Sequence, residues 1–382
     1  MSLQHLPPPS WIDTARSLRE LTEDLHAQPY IGLDTESNSL FAYRERICLI
    51  QLSAGGHDYI IDPLAIDDMT PLGELLANPA VEIIFHAAEY DLLSLERNFG
   101  FRVQTLFDTM QAGRVLGVAK VGLGDMLHTH FGVSVDKRYQ RANWGQRPIP
   151  PEQLRYAQVD THYLIPLRHI LYNALAEQDA LGEAEEIFAE SLRFEPRPAS
   201  FDPDGYWKIS GARRLKARQA ARLRELYLWR EAIAEKRDVP VFKVLGNNVL
   251  LKLARANPTK LRHLSERGLL SSKEIARYGP GIIKAVQRGN EARPPKRPRQ
   301  TKADHTLIHR HDRLKAWRKQ RAAQRGVESD IIMPPDTLWE IAKSAPQSLH
   351  DLAAYTHLGP WRLQTYGQEI LQILAEDREP LP

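Results

Sequence analysis

The C-terminal half of the chain repeats itself at a constant, ungapped offset of 88 residues, and this repeat constrains the fold more than any other feature. Trp229-Arg230 recurs as Trp317-Arg318, Val239 as Val327, Leu250 as Leu338, Ala254 as Ala342 and Pro258 as Pro346. Leu261 and Leu264 recur as Leu349 and Leu352, and Tyr278-Gly279 as Tyr366-Gly367. Strand signals are sparse beyond residue 200, and apolar residues fall at helical spacing. Each copy therefore predicts a small all-α domain, over 212–290 and 306–378. Between them, residues 291–305 contain Arg293-Pro-Pro-Lys-Arg-Pro-Arg299, a basic, Pro-rich segment that predicts a semi-rigid linker.

Residues 1–200 follow a different rhythm. Tyr30–Asp34 is an apolar run leading into Thr35-Glu36, Arg46–Ser53 is rich in β-formers, and His57–Asp62 follows the Gly55-Gly56 turn and stops at Pro63. The short turn predicts antiparallel pairing of the second and third strands. Helix and strand then alternate: helix over Pro71–Ala77, strand over Val81–Phe85, helix over Ala88–Asn98, strand over Val103–Phe107 and helix over Thr109–Leu116. Pro150-Pro151-Glu152 opens a helix that runs to His169, with a kink expected at Pro166. The pattern is that of an α/β domain with a mixed sheet.

The formal net charge of +3 conceals an asymmetry. Residues 1–200 hold 16 Lys+Arg and 28 Asp+Glu, and residues 201–382 hold 35 and 20. An acidic half suited to cations is thus joined to a basic half suited to phosphate backbones. The single cysteine, Cys48, excludes a disulfide framework and a Cys-rich zinc site, and its apolar neighbours predict a small buried hydrophobe. No segment approaches the ~20 apolar residues of a membrane span, and residues 1–10 lack a signal-peptide pattern. A soluble cytoplasmic protein is expected.

The chemistry is expected in the acidic half. Asp34 and Glu36, two apart on a strand, project to the same side. His86 closes a strand, and Asp91 lies on the helix after it. Tyr156 and Asp160, four apart on a helix, share a face. Taken singly, Asp91 is a first-turn helix charge, His86 a structural strand-end histidine, and Tyr156 with Asp160 a packing tyrosine and a surface acid. Brought together at one sheet edge, four carboxylates would repel one another, and divalent cations resolve that conflict. An all-oxygen donor set suits Mg²⁺ or Mn²⁺. Two such ions roughly 3.5–4 Å apart can activate a water and stabilise the leaving oxygen in phosphodiester cleavage.

Asp34-Thr-Glu36, His86-Ala-Ala-Glu-Tyr-Asp91 and Tyr156-Ala-Gln-Val-Asp160 resemble, in order and spacing, the three exonuclease motifs of the DEDD superfamily, tyrosine subclass. Within that subclass the chain is similar to the ribonuclease D family. Asp136-Lys-Arg-Tyr-Gln-Arg-Ala-Asn-Trp144 resembles that family's loop before the third motif, and the helical copies resemble HRDC domains. The resemblance implies a ribonuclease-H-like exonuclease domain over 1–200 with two HRDC-like domains behind it, two divalent metal ions, and 3′→5′ release of nucleoside 5′-monophosphates from RNA, with tRNA precursors as substrates and no obligate protein partner. It also implies roles. Asp34 would bridge both metals, Glu36 and Asp160 would complete the first site, Asp91 would support the second, and Tyr156 would orient the attacking water. Asp108 falls at a position where the family often has an aspartate, but its place before Thr109 predicts a helix cap. His86 would stand behind the ligands.

Lys137, Arg138, Arg141 and Arg147 are expected to contact phosphates, and Trp144 to stack on a base or pack as core. Lys208–Arg237 carries ten Lys+Arg against three Glu, including Arg213, Arg214, Lys216, Arg218, Arg222 and Arg224, a composition suited to sequence-independent backbone binding. Trp229 and Trp317 predict core positions. The second copy has a Leu358-Gly359-Pro360 turn where the first has Leu269-Leu270-Ser271-Ser272, so equal nucleic-acid contact by both is not expected. Two alternatives stay open from the residues alone: a DNA exonuclease, and a nucleic-acid-binding protein with a degenerate nuclease domain.

Overall fold

The computed structural model describes residues 6–194, 201–298 and 304–376, with the side chain of Lys137 also outside the described set. Its contacts divide the chain into two compact units, each assembled from separated stretches. One comprises Met1–Glu36, Ile47–Pro196 and Lys302–Pro382; the other comprises Ser37–Arg46 and Arg197–Thr301.

In the first unit, β1 (Ser10–Ile12), β2 (Tyr30–Ser37), β3 (Ile47–Ala54), β4 (His57–Ile61), β5 (Glu82–Phe85) and β6 (Leu106–Asp108) form one six-stranded mixed sheet. The strand order is β1-β4-β3-β2-β5-β6. β3 and β4 pair antiparallel through the Gly55-Gly56 turn, whose φ angles of 57° and 82° only glycine adopts freely. β2–β5 and β5–β6 pair in parallel. β3 is buried along its whole length, which accounts for its apolar opening Ile47-Cys-Leu-Ile50, and Gln51 and Ser53 are buried with it. The helices are α1 (Ala15–Leu25), α2 (Thr70–Leu76), α3 (Glu89–Phe99), α4 (Thr109–Val115), α5 (Leu123–Phe131), α6 (Pro151–His162), α7 (Leu164–Glu177) and α8 (Leu181–Ser191).

Three features depart from expectation. β1, α1, α5 and α8 have no counterpart in the predicted elements, although α1 announces itself by the Thr14/Ser17 capping box. The strand expected over Val103–Phe107 is displaced to Leu106–Asp108. The helix expected to run to His169 breaks at Tyr163. The cause is Pro166, which has no N–H for the carbonyl of His162 four residues earlier.

The first helical copy contains α9 (Ala217–Lys236), α10 (Val241–Val244), α11 (Asn247–Ala256), α12 (Leu261–Glu266) and α13 (Ser272–Glu291). The second contains α14 (His305–Arg325), α15 (Ser329–Ile332), α16 (Pro335–Ser344), α17 (Leu349–Tyr355) and α18 (Pro360–Glu376). Each helix of the second copy starts 88 residues after its partner in the first. Trp317 is buried in the second copy's core, and Trp229 packs against the first copy's core beside Tyr278.

The loop before α6 is fixed by one ion pair. Asp62, buried at the end of β4, accepts from Arg147 Nε and Nη2, both at 2.7 Å. The other N–H groups of Arg147 reach the carbonyls of Trp144, Gln146 and Cys48, so all five guanidinium donors are used. Trp144 is 1% exposed and packs with Cys48, Ile60, Ile149 and Ala157. Two expectations are thereby corrected. Trp144 is not available to stack on a base, and Arg147 has no donor left for a phosphate. Cys48 is buried as expected. Arg147→Ala should destabilise the protein by about 3 kcal/mol in urea unfolding, because it leaves Asp62 buried without its cation. Arg147→Lys should recover less than half of that, since an ammonium cannot reproduce the fork.

Candidate active site

Each acidic side chain reaches the site for a local reason. β2 carries Asp34 and Glu36 on one side of its pleat, and α6 carries Tyr156 and Asp160 one turn apart. One carboxylate oxygen from each of Asp34, Glu36 and Asp160 lies within 4.8 Å of the others. Tyr156 hydrogen-bonds Asp160. These residues line a cleft of ≈ 470 Å³ together with Thr35, His86, Leu123, Asp125 and Gln140.

Asp91 stands apart from the three-carboxylate group. Its Oδ1 accepts from the Thr35 backbone N–H at 3.1 Å and from the Thr35 hydroxyl at 2.5 Å, which ties α3 to β2 between the two acidic residues.

The approach to Asp91 is shaped by Asp108. Its carboxylate accepts from the backbone N–H groups of Ala87 (3.0 Å) and Ala88 (2.8 Å) where β5 gives way to α3. It also accepts from Met110 (2.8 Å) and Gln111 (3.2 Å) at the start of α4. Asp108 is therefore the helix cap that its sequence position predicts. It also holds Ala87 at φ 66°, a conformation costly for a residue with a Cβ. His86 sits in the cleft wall, with Nδ1 2.9 Å from the Thr109 hydroxyl, and burial lowers its pKa.

The face of α6 turned away from the cleft is tethered as firmly. Asp58 of β4 accepts from Ser53 Oγ (2.6 Å) and Gln158 Nε2 (2.7 Å) and pairs with His162 Nδ1 at 2.8 Å. Burial alone would raise the Asp58 pKa, but the bonds from His162, Ser53 and Gln158 outweigh it and lower it. Sequence inspection missed Asp58, Gln158 and His162, as well as the cleft residues Asp125 and Gln140. Gln158 and His162 flank Asp160 at i−2 and i+2, a spacing that could have placed them on the helix's other face.

The site carboxylates have the opposite electrostatics. Burial first, then Asp91, Asp160 and Glu36, raise Asp34 well above the usual carboxylate range. Burial, then Asp160 and Asp91, push Glu36 up to about 9. Burial pushes Asp160 and Asp91 up to about 7, against bonds from Tyr156 and Thr35 respectively that lower them. Burial and the same carboxylates also raise Tyr156, so the phenol stays neutral and acts as a hydrogen-bond donor. A compact all-oxygen set whose members repel one another fits a hard divalent cation.

Among the loop cations, Arg138 and Arg141 are exposed, and Arg138 is paired with Asp136 at 2.6 Å. The Lys137 side chain lies outside the described residues.

Metal-free, the cluster should cost stability. The folded chain holds protons that the unfolded chain releases, so stability should fall as pH rises from 4.5 to about 9. Asp34→Asn removes one of the repelling charges. In chelator at pH 8 it should raise the melting temperature by about 3 °C or more, measured by calorimetry, and the gain should shrink at pH 5.

Comparison with known proteins agrees with this geometry. Residues 9–176 match the family model for 3′-5′ exonucleases, and residues 219–286 and 310–374 match that for the HRDC domain. The chain is 34% identical to Ribonuclease D of Haemophilus influenzae over 67% of its own length and 64% of the relative's, just under two thirds of that protein. It is 31% identical to Ribonuclease D of Gluconacetobacter diazotrophicus over 78% of its own length and 76% of the relative's. The crystal structure of Escherichia coli RNase D, an exoribonuclease involved in structured RNA processing, superposes with a TM-score of 0.71 at 26% identity, covering 98% of this chain and 100% of that one. With Asp34, Glu36, Tyr156 and Asp160 on one cleft and both helical repeats accounted for, the chain belongs to the ribonuclease D family of 3′-5′ exonucleases.

Proposed function

We propose that this protein is a metal-dependent 3′→5′ exoribonuclease that removes nucleoside 5′-monophosphates from RNA 3′ ends, with tRNA precursors as its substrate class and no obligate protein partner. The observation that carries this is the convergence of Asp34, Glu36 and Asp160 within 4.8 Å, with Tyr156 on the same cleft. Two Mg²⁺ or Mn²⁺ ions would be held by Asp34 in common, by Glu36 and Asp160 at one position, and by Asp91 at the other. Bound there, such ions would supply a water acidic enough to be deprotonated near neutral pH and would stabilise the leaving 3′ oxygen. Tyr156 is a neutral phenol turned toward Asp160 and orients the attacking water through its hydroxyl. No side chain here needs to act as the base. Asp108, Asp58 and Thr35 hold the acidic side chains in place before substrate arrives.

Incubation with 3′- or 5′-labelled RNA and DNA of equal sequence, with Mg²⁺ or with chelator, tests this reading. RNA should shorten stepwise from its 3′ end only when metal is present. Asp34→Asn should slow the reaction at least about a hundredfold. Tyr156→Phe should lower kcat about ten- to a hundredfold with little change in KM, because it removes orientation and not charge. Cleavage that survives chelator would overturn the metal mechanism.

Backbone holding falls to the exposed cations at the start of the first helical copy. Arg213, Arg214 and Lys216 are exposed. Arg222 instead donates to the carbonyl of Ala254 and to Asn290, Arg218 to the carbonyls of Asn290 and Ala292, and buried Arg230 to the carbonyl of Leu245. The basic run is thus partly internal scaffolding. Replacing Arg213, Arg214 and Lys216 by alanine should weaken RNA binding for every sequence. It should also reduce the slope of log affinity against log salt by about 2, as expected for three lost contacts to a single strand. Fluorescence anisotropy across a salt series measures both effects.

A further inference from the structure

The second helical copy is built into the exonuclease unit. Ile331 of α15, 2% exposed, belongs to the core under the mixed sheet, and Val327 packs against both that core and its own. A Cβ on Gly117, after α4, would lie 3.1 Å from the carbonyl oxygen of Gly326, so two backbone turns meet directly. Three charged contacts surround this apolar anchor. Arg114 reaches Asp330 at 2.7 Å and Glu328 at 3.0 Å. Arg325 grips Glu183 with both Nη atoms at 2.6 Å, and Glu183 is 1% exposed. Arg362, also 1% exposed, binds Glu186 at 3.1 Å and Glu190 at 2.6 Å.

The third contact has a second component. Glu186 Oε2 accepts from the backbone N–H groups of Trp361 (2.6 Å) and Arg362 (3.2 Å), the opening turn of the seventeen-residue α18. A Cβ on Gly359 would run into the carboxylate carbon of Glu186, so any larger residue there would push the carboxylate out of this position. Two backbone donors at a helix start with an arginine beside them form the donor set that binds a phosphate oxygen. In the first copy, the corresponding helix start is closed by its own residues, Ser271 and Glu274, as a capping box.

We infer that Glu186 occupies this Gly359–Arg362 seat in place of a nucleic-acid phosphate, which makes the second copy a docked brace of the catalytic unit whose α18 turn does not take RNA. The clause on RNA rests on the exoribonuclease reading above. Docking is independent of it. RNA holding is then left to other surfaces, so the two repeats share a fold without sharing a task.

A double-mutant cycle on the full chain tests the seat. Gly359→Ala should lower the melting temperature by about 5 °C in the presence of Glu186, because the new methyl evicts the carboxylate. In a Glu186→Ala background the same substitution should have almost no further effect. Equal losses in both backgrounds would overturn the proposal. Hydrogen exchange supplies the second measurement. Glu186→Ala should speed exchange at least tenfold in peptides covering both 181–191 and 358–366, and unchanged exchange in either would also overturn it. In an Asp34→Asn background, saturating single-stranded RNA should leave exchange over 358–366 unaltered, whereas protection there would show that RNA takes the seat. A protein that neither binds nor cuts RNA would defeat the exoribonuclease reading while leaving the Gly359/Glu186 cycle intact.

Discussion

Repulsion among half-buried and buried carboxylates is the constraint around which the exonuclease unit is organised. The unit contains two kinds of inward-facing aspartate. Asp58, Asp62 and Asp108 each collect three or more donors, from side chains, a guanidinium or backbone N–H groups. One oxygen each of Asp34, Glu36 and Asp160 lies within 4.8 Å of the others, and their affinity for protons is raised by burial first and, for Asp34 and Glu36, by the neighbouring carboxylates. The satisfied aspartates cost little and hold elements in place. The unsatisfied acids are costly and are kept together by the first kind. Asp108 fixes the turn that leads to Asp91, and Asp58 fixes the helix that delivers Tyr156 and Asp160. Donor count around a buried acid therefore distinguishes Asp58, Asp62 and Asp108 from Asp34, Glu36 and Asp160, which residue type alone cannot do.

That distinction explains what was legible in the sequence. Asp34 with Glu36 and Tyr156 with Asp160 could be read because strand and helix periodicity dictates that each pair shares a side. The 88-residue offset could be read because ungapped duplication preserves the spacing of core positions, and it reappears at the start of every helix. Trp144 and Arg147 could not be placed this way. A tryptophan among basic residues looks the same whether it stacks on a base or fills a core. Only the tertiary partners, Cys48, Ile60 and Asp62, decide between those outcomes, and all lie 84 or more residues away in the chain. The basic half shows the same limit. Composition counts Arg222 and Arg230 with the exposed cations, but both are consumed by carbonyls inside the first helical copy. The helix break at Tyr163 was displaced from the proline that causes it because the missing bond belongs to the carbonyl four residues upstream.

Duplication and divergence can be seen together in the two helical copies. Their helices begin in register, and Trp229–Tyr278 and Trp317–Tyr366 keep the same edge-on ring contact. The copies differ at the residues before their last long helix. One start is closed locally by Ser271 and Glu274, the other by a glutamate from α8 of the exonuclease unit. Changing the source of one carboxylate is a small step in sequence and a large one in architecture.

Neither compact unit is a continuous stretch of chain. The segment Ser37–Arg46, which leaves the end of the strand bearing Asp34 and Glu36, belongs with the first helical copy, and the second copy belongs with the exonuclease sheet. Each unit thus includes a stretch separated from its main body by sequence of the other. A chain divided between the α/β half and the repeats would yield two pieces that each lack part of both units, so a cut at that sequence boundary does not follow the boundary between the compact units.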